Sequence, residues 1–495
     1  MALVLALDAG TTGVRSLAFD DSGRPVASSY REFPQYFPRP GWVEHDPVEI
    51  WEAQAATIAD LLARIDQPVA AIGITNQRET VVVWDRRTGR PLAPAIVWQD
   101  RRTADECERL RRAGHLPTVR QKTGLVLDPY FSATKLGWLF RSGAVEAGPD
   151  VAFGTVDTWL VWCLTGGKVH ATDHSNASRT LLFDIDRLAW DTGLCELFGV
   201  PDSALPDLVP SSGRMGVTAG GVVAGLPAGV PISGCAGDQQ AALFGQACFE
   251  PGMTKNTYGT GSFVLMNVGP DRPPPVEGLL TTVAWTLGAS PAPAYALEGA
   301  IFVTGAAVQW LRDQLGLIGE SAEIGPLAAS VADSGGAYLV PAFTGLGSPW
   351  WDPEARGTLV GLTRGVGRAQ LARAALDAMA FQTRDVVDSM VAAGSTRITE
   401  LRVDGGASVV DLLLQLQADL TGVPVVRAAV QDTTALGAAL LAGLAEGVWS
   451  SLDEIARNWH SDRTFTPAPD TAQSQQAYEG WLRAVERARG WGVRG

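Results

Sequence analysis

The first thirty residues alternate between apolar runs and turn-forming residues. Apolar runs at residues 3–7 and 14–19 flank a Gly-Thr-Thr-Gly tip, and a second turn at residues 20–23 leads into an extended run at residues 25–32. Short apolar runs separated by Gly and Asp clusters are typical of strands joined by tight turns. The pattern predicts a three-stranded meander whose first hairpin has its tip at residues 10–13.

The next segment changes to a helical period. Asp46 can cap a helix, Pro47 suits the first helical position, and Glu49 three residues after Asp46 predicts a capping box. Apolar residues then recur at spacings of three and four, which predicts one buried helix face formed by Trp51, Ala55, Ile58, Leu62 and Ile65. Residues 69–79 follow as a buried strand with a polar end, Asn-Gln-Arg-Glu, and strand ends carry the chemistry of many α/β folds.

A second copy of the opening hairpin occurs about half the chain later. Residues 254–269, TKNTYGTGSFVLMNVG, again have an extended run, a Gly-Thr-Gly tip and an apolar return strand. Short Gly-Thr hairpins also match by chance, but duplication of one α/β unit accounts for both the match and its position. We therefore expect two similar lobes with both tips at the mouth of one deep cleft. The predicted domains are residues 1–247, the N-terminal half, and residues 248–495, the C-terminal half.

Composition narrows the classes of function. The 495 residues carry 39 Lys and Arg against 53 Asp and Glu, a formal net charge of −14. This balance argues against nucleic acid or an anionic membrane surface as a partner. The five cysteines form no C-x-x-C pair, and the first residues have no secretory pattern. We expect reduced thiols, no membrane insertion and a cytoplasmic location.

Both hairpin tips have the composition of phosphate-binding loops. Glycine lets the backbone approach a ligand, successive N–H groups point at an anion, and Thr hydroxyls donate without adding charge. Ordinary hairpin turns share this composition, so the tips alone leave both interpretations open. Neither a Walker P-loop nor a G-x-G-x-x-G motif occurs at these turns. Phosphate binding here would use another architecture.

Two later segments favour the phosphate-binding interpretation. Residues 231–245 and 401–420 each pass from an extended run through a Gly-Asp or Asp-Gly-Gly turn into a helical pattern. This order aims helix N-terminal N–H groups at the turn. An acid beside phosphates repels them, so we expect Asp238 to help hold Mg²⁺ or to accept a proton from an attacking hydroxyl. Asp8, at its strand end, is expected to serve the metal; a plain helix cap is the alternative for either acid.

The order of strand, Gly-Thr hairpin, Gly-Asp turn and Asp-Gly-Gly turn resembles the actin-like (ribonuclease H-like) ATPase fold of actin, heat-shock chaperones and sugar kinases. Within that group the chain resembles the FGGY carbohydrate kinases from about residue 3 to about residue 489. The matching segments include ALDAGTTGVRS, PGWVEHDPVEIW, AIGITNQRET, GDQQAALFGQ, NTYGTGSF and RVDGGAS. The resemblance implies an α/β protein of two duplicated ATPase domains flanking a deep cleft.

Several segments are specific to the glycerol-using branch of that family. The resemblance therefore implies transfer of the γ-phosphate of ATP to a terminal hydroxyl of glycerol, with Mg²⁺ as cofactor, by a homodimer or homotetramer. It assigns the catalytic proton acceptor to Asp238 and a Mg²⁺ contact through water to Asp8. For glycerol it implies the polar residues and aromatic walls Arg78, Glu79, Trp98, Tyr130, Asp238, Gln239 and Phe263. If the resemblance to the family is set aside, the sequence predicts a surface ion pair for Arg78 and Glu79 and a core aromatic residue for Tyr130.

For the nucleotide, the resemblance implies contacts from two phosphate loops and the residues around the ribose and adenine. These are Thr11, Thr12, Gly13, Arg15, Thr260, Gly305, Gln309, Gly406 and Val410. Val410 stands where the family usually has Asn, so we expect an adenine contact to be lost.

Three other functions stay open at this point. A related kinase for a pentulose or a tetritol would share the fold and the mechanism. An actin-like filament or chaperone ATPase would consume ATP without a polyol, and a catalytically inactive sensor would bind glycerol only. The presence of Asp238, Thr11 and Thr260 together disfavours the sensor.

Overall fold

The computed structural model describes residues 2–288, 290–393, 397–470 and 472–492. Within these residues the chain forms 23 strands and 15 α-helices. The strands are β1 (Leu3–Ala9), β2 (Gly13–Phe19), β3 (Pro25–Glu32), β4 (Glu44–His45), β5 (Val69–Asn76), β6 (Val82–Asp85), β7 (Ala95–Ile96), β8 (Val151–Gly154), β9 (Ala171–Asp173), β10 (Phe183–Asp184), β11 (Ala189–Trp190), β12 (Asp207–Val209), β13 (Ser212–Val217), β14 (Pro231–Gly237), β15 (Thr254–Tyr258), β16 (Ser262–Gly269), β17 (Leu280–Leu287), β18 (Ser290–Ile301), β19 (Tyr338–Val340), β20 (Thr358–Val360), β21 (Leu401–Gly405), β22 (Val425–Ala428) and β23 (Ser461–Phe465).

The helices are α1 (Pro47–Leu62), α2 (Ala104–Arg112), α3 (Leu116–Thr123), α4 (Ser132–Arg141), α5 (Val156–Leu164), α6 (His174–Ala177), α7 (Thr192–Phe198), α8 (Asp238–Gly245), α9 (Gly305–Asp313), α10 (Ile324–Ala329), α11 (Arg368–Ala392), α12 (Asp411–Thr421), α13 (Thr433–Ala445), α14 (Leu452–Asn458) and α15 (Ala472–Ala488). Among the described residues, none of these helices is both long enough and apolar enough to cross a bilayer.

Thirteen strands form one sheet in which the same strand order occurs twice. In the N-terminal half the order is β3-β2-β1-β5-β14-β13, and in the C-terminal half it is β18-β16-β15-β21-β22-β23. In each half an antiparallel hairpin is followed by two parallel neighbours and one antiparallel strand. The two half-sheets meet where Ser212 of β13 pairs with Leu287 of β17. The predicted α/β fold with a duplicated unit is confirmed.

The two hairpins are both antiparallel but differ in the length of the tip and in the paired residues: four residues (10–13) lie between the last pair of the first hairpin, and three (259–261) between that of the second. In the first hairpin the second pair from the tip is Asp8 opposite Arg15. In the second hairpin the second pair from the tip is Thr257 opposite Phe263. The duplicated backbone therefore presents a charged pair in one half and a neutral pair in the other.

Helix α1 begins where the capping residues predict. The Asp46 carboxylate accepts a hydrogen bond from the Val48 N–H (2.8 Å), and Pro47 is the first helical residue. The predicted capping box is wrong, because the Glu49 carboxylate accepts a hydrogen bond from the Tyr36 hydroxyl (2.9 Å).

The buried face of α1 is also displaced from the predicted one. Its buried residues include Ile50, Gln54, Thr57, Ile58 and Leu61, whereas the predicted Trp51, Ala55 and Leu62 are only partly buried. Gln54 Nε2 donates to Ser16 Oγ on β2 (2.9 Å), and the Thr57 and Ser16 hydroxyls lie 2.8 Å apart. Because the Gln54 amide nitrogen and the two hydroxyls hydrogen-bond one another, these polar groups can lie on the sheet side of the helix.

Helices α8 and α13 cross in close contact where the halves meet. A Cβ added to Gly437 of α13 would lie 1.8 Å from the Ala241 carbonyl oxygen of α8, and one added to Gly245 would lie 2.0 Å from the Thr433 oxygen. Helix α13 also packs on β5, β1 and β14 of the N-terminal half. Glycine is required at this crossing because the two backbones touch.

A buried carboxyl group, Asp385 of α11, ties the last helix to the C-terminal half. It accepts hydrogen bonds from the Tyr478 hydroxyl (2.6 Å), the Trp481 indole (2.9 Å) and the Trp350 indole (3.3 Å). Burial raises the pKa of Asp385 to about 6, although these three donors act to lower it.

This carboxyl group predicts a pH dependence of stability. The folded protein holds the Asp385 proton more tightly than the unfolded chain does, so its contribution to stability is greatest at low pH and decreases as the pH rises toward 6. We expect the unfolding free energy of the wild type, relative to Asp385→Asn, to fall by roughly 1–2 kcal/mol between pH 5 and pH 8. Chemical denaturation of both proteins at three pH values measures this, and a pH-independent difference would contradict it.

Candidate active site

Asp238 and Arg78 lie side by side at the ends of two parallel strands. Gly237 of β14 pairs in register with Asn76 of β5, so the residues that follow each strand emerge together. Arg78 Nε lies 3.1 Å from Asp238 Oδ1. The Arg78 side chain is 1% exposed and that of Asp238 is 32% exposed, so Asp238 is the member of the pair that faces solvent.

The remaining donors of Arg78 are all used by the protein. Its Nη1 donates to Glu298 (2.6 Å) and to Gln240 (3.2 Å), and its Nη2 donates to Glu298 (3.1 Å) and to the Tyr130 hydroxyl (3.2 Å). Arg78 is therefore a fixed hub that orients the carboxylate and hydroxyl groups around it.

Glu79 has a backbone conformation that non-glycine residues rarely adopt. Its φ is +63°, and its side chain is buried. The Ser132 hydroxyl donates to the Glu79 carbonyl oxygen (2.9 Å), and Arg179 Nε donates to Glu79 Oε1 (2.8 Å). Burial raises the pKa of Glu79, while Arg78 and Arg179 act against that increase. A strained residue held this firmly is characteristic of ligand sites.

Aromatic side chains connect this polar group to the first hairpin tip. The rings of Trp98 and Tyr130 meet edge to face with centroids 5.6 Å apart, and the Arg78 guanidinium lies 5.8 Å from the Phe263 ring. The Trp98 indole donates to the Thr11 hydroxyl (3.0 Å). The structure thus brings together the predicted polyol residues and one of the predicted phosphate residues.

Gln239 reaches the C-terminal half through a buried lysine. Lys255 of β15 donates to Gln239 Oε1 and to the Thr257 hydroxyl (3.0 Å). Burial lowers the pKa of Lys255 to about 8, against the opposite effect of Asp404 and Asp238. Gln239, like Arg78, is therefore held in place by a hydrogen bond to another buried side chain.

Acidic groups crowd the end of β1. Burial raises the pKa of Asp8 to about 7; Arg15 lowers it, and Asp238 and Asp432 raise it further. Arg15 itself pairs with Asp432 at the start of α13, and both side chains are 39% exposed. Carboxylate oxygens are the ligands that Mg²⁺ prefers, so Asp8 fits the predicted contact with the metal through water. Among the described residues, the carboxylates of Asp8, Asp238 and Asp432 do not lie close enough together to hold one ion directly between them.

The second hairpin tip packs directly on helix α9. The Gly305 N–H donates to the Gly259 carbonyl oxygen (3.1 Å), and a Cβ on Gly305 would lie 2.6 Å from that oxygen. Thr260 at the tip is exposed, as are Thr12 of the first tip, Gln309 and Gly406, while Gly13 is buried. These predicted nucleotide residues therefore include four at the protein surface.

Val410 is partly buried and lies one residue before α12. A 3₁₀ turn at Gly406–Val409 separates β21 from that helix, so the helix starts later than the sequence pattern predicts. A Cβ on Gly325 of α10 would lie 3.2 Å from Val410 Cγ1. The aliphatic side chain packs against this neighbouring helix.

Sequence reasoning missed three charged residues at this site: Arg179, Lys255 and Glu298. All three are fully buried. A single Glu inside the apolar run of β18 is a signal that could have identified Glu298, because Glu is almost never fully buried unless it is paired. Their partners lie far away in the sequence, so local spacing gives no further indication.

Comparison with known proteins decides the family. The family model for the N-terminal domain of the FGGY family of carbohydrate kinases matches residues 3–245, and the model for the C-terminal domain matches residues 254–446. The chain belongs to the FGGY family of carbohydrate kinases. It is therefore an ATP-dependent kinase, and the family predicted from its motifs is confirmed.

Full-length relatives support this FGGY assignment. The chain is 55% identical over 495 residues to a protein named glycerol kinase from Symbiobacterium thermophilum, covering 99% of this chain and 98% of the relative. It is 56% identical over 500 residues to a glycerol kinase from Trichlorobacter lovleyi, covering 99% of each. The structure of Plasmodium falciparum glycerol kinase with ADP has a TM-score of 0.92 at 35% identity, covering 99% of this chain and 98% of that one.

A xylulose kinase from Lactobacillus acidophilus shares the FGGY fold. Its TM-score is 0.89 at 22% identity, and the match covers 98% of each chain.

Proposed function

We propose that this FGGY kinase transfers the γ-phosphate of ATP to a terminal hydroxyl of glycerol, giving sn-glycerol 3-phosphate and ADP. The observation that carries the proposal is the fixed group formed by Arg78, Glu79, Tyr130 and Asp238. The full-length relatives named glycerol kinase support the same substrate.

The polar group suits a small triol. Glycerol has three hydroxyl groups and little apolar area, so recognition must come from fixed partners that a wrong substrate would leave unpaired. Carboxylate oxygens of Glu79 and Asp238 can accept from substrate hydroxyls, and the buried Tyr130 hydroxyl supplies another polar contact. Trp98, Phe263 and the anchored Gln239 complete the proposed glycerol site.

Asp238 is the proposed general base. It accepts the proton of a terminal hydroxyl, whose oxygen then bonds to the γ-phosphorus as the bond to the bridging oxygen of ADP breaks and ADP keeps that electron pair. Arg78 holds the Asp238 carboxylate at 3.1 Å. The fixed position of the base places the reacting hydroxyl for attack, and positioning of this kind supplies much of the rate.

The two hairpin tips are the proposed phosphate clamps. Thr11, Thr12 and Gly13 would contact the phosphates from the N-terminal half, and Thr260 would do so from the C-terminal half. Arg15 would supply positive charge to the phosphates. Asp8 would hold Mg²⁺ through water, and the bound metal supplies charge neutralisation for the phosphates.

The remaining nucleotide contacts are proposed at the C-terminal half. Gly305, Gln309 and Gly406 would surround the ribose and the base. The aliphatic Val410 side chain can pack against adenine and cannot accept or donate a hydrogen bond. We also propose a cytoplasmic homodimer or homotetramer; the free cysteines support this compartment.

A coupled assay of ADP release with a panel of acceptors tests the proposed function. We expect ADP release that depends on glycerol and on Mg²⁺, with kcat/KM at least about tenfold lower for a tetritol or a pentulose. A higher kcat/KM for xylulose would instead identify a sugar kinase. ADP release at the same rate without any acceptor would identify an ATPase.

A further inference from the structure

Four acidic and basic side chains form a closed ring that includes two residues of the proposed glycerol site. We define the charge ring as Arg78, Glu79, Arg179 and Glu298, each with a side chain no more than 1% exposed. Arg78, Glu79 and Arg179 come from the N-terminal half, and Glu298 comes from β18 in the C-terminal half.

The charges alternate around the ring. Glu298 accepts from Arg78 through both carboxylate oxygens (2.6 and 3.1 Å) and from Arg179 Nη2 (2.8 Å). Arg179 Nε donates to Glu79 Oε1 (2.8 Å), and that same oxygen lies 3.7 Å from Arg78 Nε. Each member of the ring therefore has two ring neighbours of opposite sign, and Arg78 also pairs with Asp238 outside the ring.

Two aromatic rings lie beside the second arginine. The Arg179 guanidinium lies 5.7 Å from the centre of the Tyr130 ring and 5.3 Å from that of Phe131. Arg179 thus touches Tyr130 and Glu79 directly and reaches Arg78 through Glu298. The Arg179 side chain has no exposed surface, so these contacts lie inside the protein.

Stability alone does not explain this arrangement. Removing charges from water is costly, and well-packed apolar residues often replace buried ion pairs without loss of stability. Burial would raise the pKa of Glu298, but the Arg179 and Arg78 guanidiniums outweigh that effect and hold its pKa at about 2. Glu298 therefore stays ionised throughout the physiological pH range.

We propose that Glu298 and Arg179 are positioning residues for the polyol: Glu298 fixes the orientation of Arg78, and Arg179 fixes the carboxylate of Glu79. The C-terminal half then shapes a substrate site whose contacting groups come mostly from the N-terminal half. This inference rests on the proposed function only for the identity of the polyol.

The variant Glu298→Gln tests the first part. It keeps the size of the side chain and removes its charge, so one carboxylate of the ring no longer restrains Arg78. We expect KM for glycerol to rise about 10–100-fold while KM for ATP changes by less than about threefold. Glu298→Asp restores the charge on a shorter side chain and should recover part of the loss in glycerol KM.

A pair of substitutions tests the ring as a unit. Arg179→Gln should raise the glycerol KM in the same range. Glu298→Gln with Arg179→Gln restores the balance of charge around the remaining Arg78 and Glu79. The increase in glycerol KM of the double variant should therefore be at least about fivefold smaller than the product of the increases in the two single variants.

Asp385→Asn is the matched control, because it neutralises another buried carboxyl group of the C-terminal half, outside the ring. It is expected to change thermal stability and to leave the glycerol KM within about twofold. The inference is overturned if Glu298→Gln changes the KM for glycerol and the KM for ATP no more than Asp385→Asn does. If Glu298→Gln does not fold, Arg179→Lys gives the comparison of KM values, because it keeps the charge but loses the planar guanidinium that donates to both Glu79 and Glu298.

The result separates this inference from the proposed function. If the wild type uses another polyol better than glycerol, the proposed function fails, and the KM comparison is made with that polyol. A selective increase in its KM would support the positioning role. Equal increases in polyol and ATP KM would overturn the role whichever substrate is found.

Discussion

Replacing Asp238 by asparagine is expected to lower kcat for glycerol phosphorylation about 10²–10⁴-fold, which corresponds to roughly 2.7–5.4 kcal/mol of transition-state stabilisation. Asparagine keeps the size and one acceptor oxygen of the side chain but cannot take the hydroxyl proton. The dissociation constant for glycerol should change far less than kcat. Steady-state ADP release gives kcat, and titration calorimetry gives the glycerol affinity.

The control for this variant is Asp453→Asn in the first turn of α14. It makes the same chemical change near a helix start, at an exposed position outside the site. We expect its kcat to stay within about twofold of the wild type. A kcat for Asp238→Asn within about tenfold of the wild type would contradict the assignment of the base.

Replacing Gly437 by alanine is expected to give the largest loss of stability. The added Cβ would lie 1.8 Å from the Ala241 carbonyl oxygen, so one of the two helix backbones must move. Overpacking of this kind costs about 3 kcal/mol or more, which corresponds to a Tm lower by roughly 6–12 °C. Activity should fall with it, because α8 starts at Asp238.

Gly148→Ala is the matched control, since a Cβ at that position has no neighbour within 4 Å. Its Tm should be unchanged or slightly higher. Differential scanning calorimetry of the three proteins makes the comparison. A Gly437→Ala protein that melts within about 2 °C of the wild type would show that the helices at this crossing can separate without cost.

Local sequence patterns predicted the parts of the fold that local physics determines. Both Gly-Thr hairpins, a strand from residue 69 and the start of α8 at Asp238 follow from alternation, turn residues and helix starts within short windows, although the strand predicted over residues 69–79 ends at Asn76. The repeat of the hairpin was sufficient to predict the duplicated unit. The family resemblance then assigned site residues such as Arg78 and Tyr130, which spacing alone does not distinguish from an ion pair and a core aromatic residue.

Features that depend on distant partners could not be predicted in this way. Gln54 and Thr57 turn toward the sheet because Ser16 lies opposite them on β2, a contact that the helical period of α1 does not contain. Arg179 and Glu298 were missed for the same reason, since they are 119 residues apart and meet only in the folded chain. The energy of a buried charge depends on its partner, and the partner is a property of the tertiary structure.

The residue pairs of the two hairpins make the two ends of the proposed site different. A duplicated backbone by itself would offer two equivalent hairpin tips, and a linear ligand could bind between them in either of two orientations. Asp8 and Arg15 in one copy, against Thr257 and Phe263 in the other, remove that equivalence. The first tip is set apart by a charged pair and the second by a hydroxyl and an aromatic ring, so the two ends of the axis between the tips differ chemically although the main chain is duplicated.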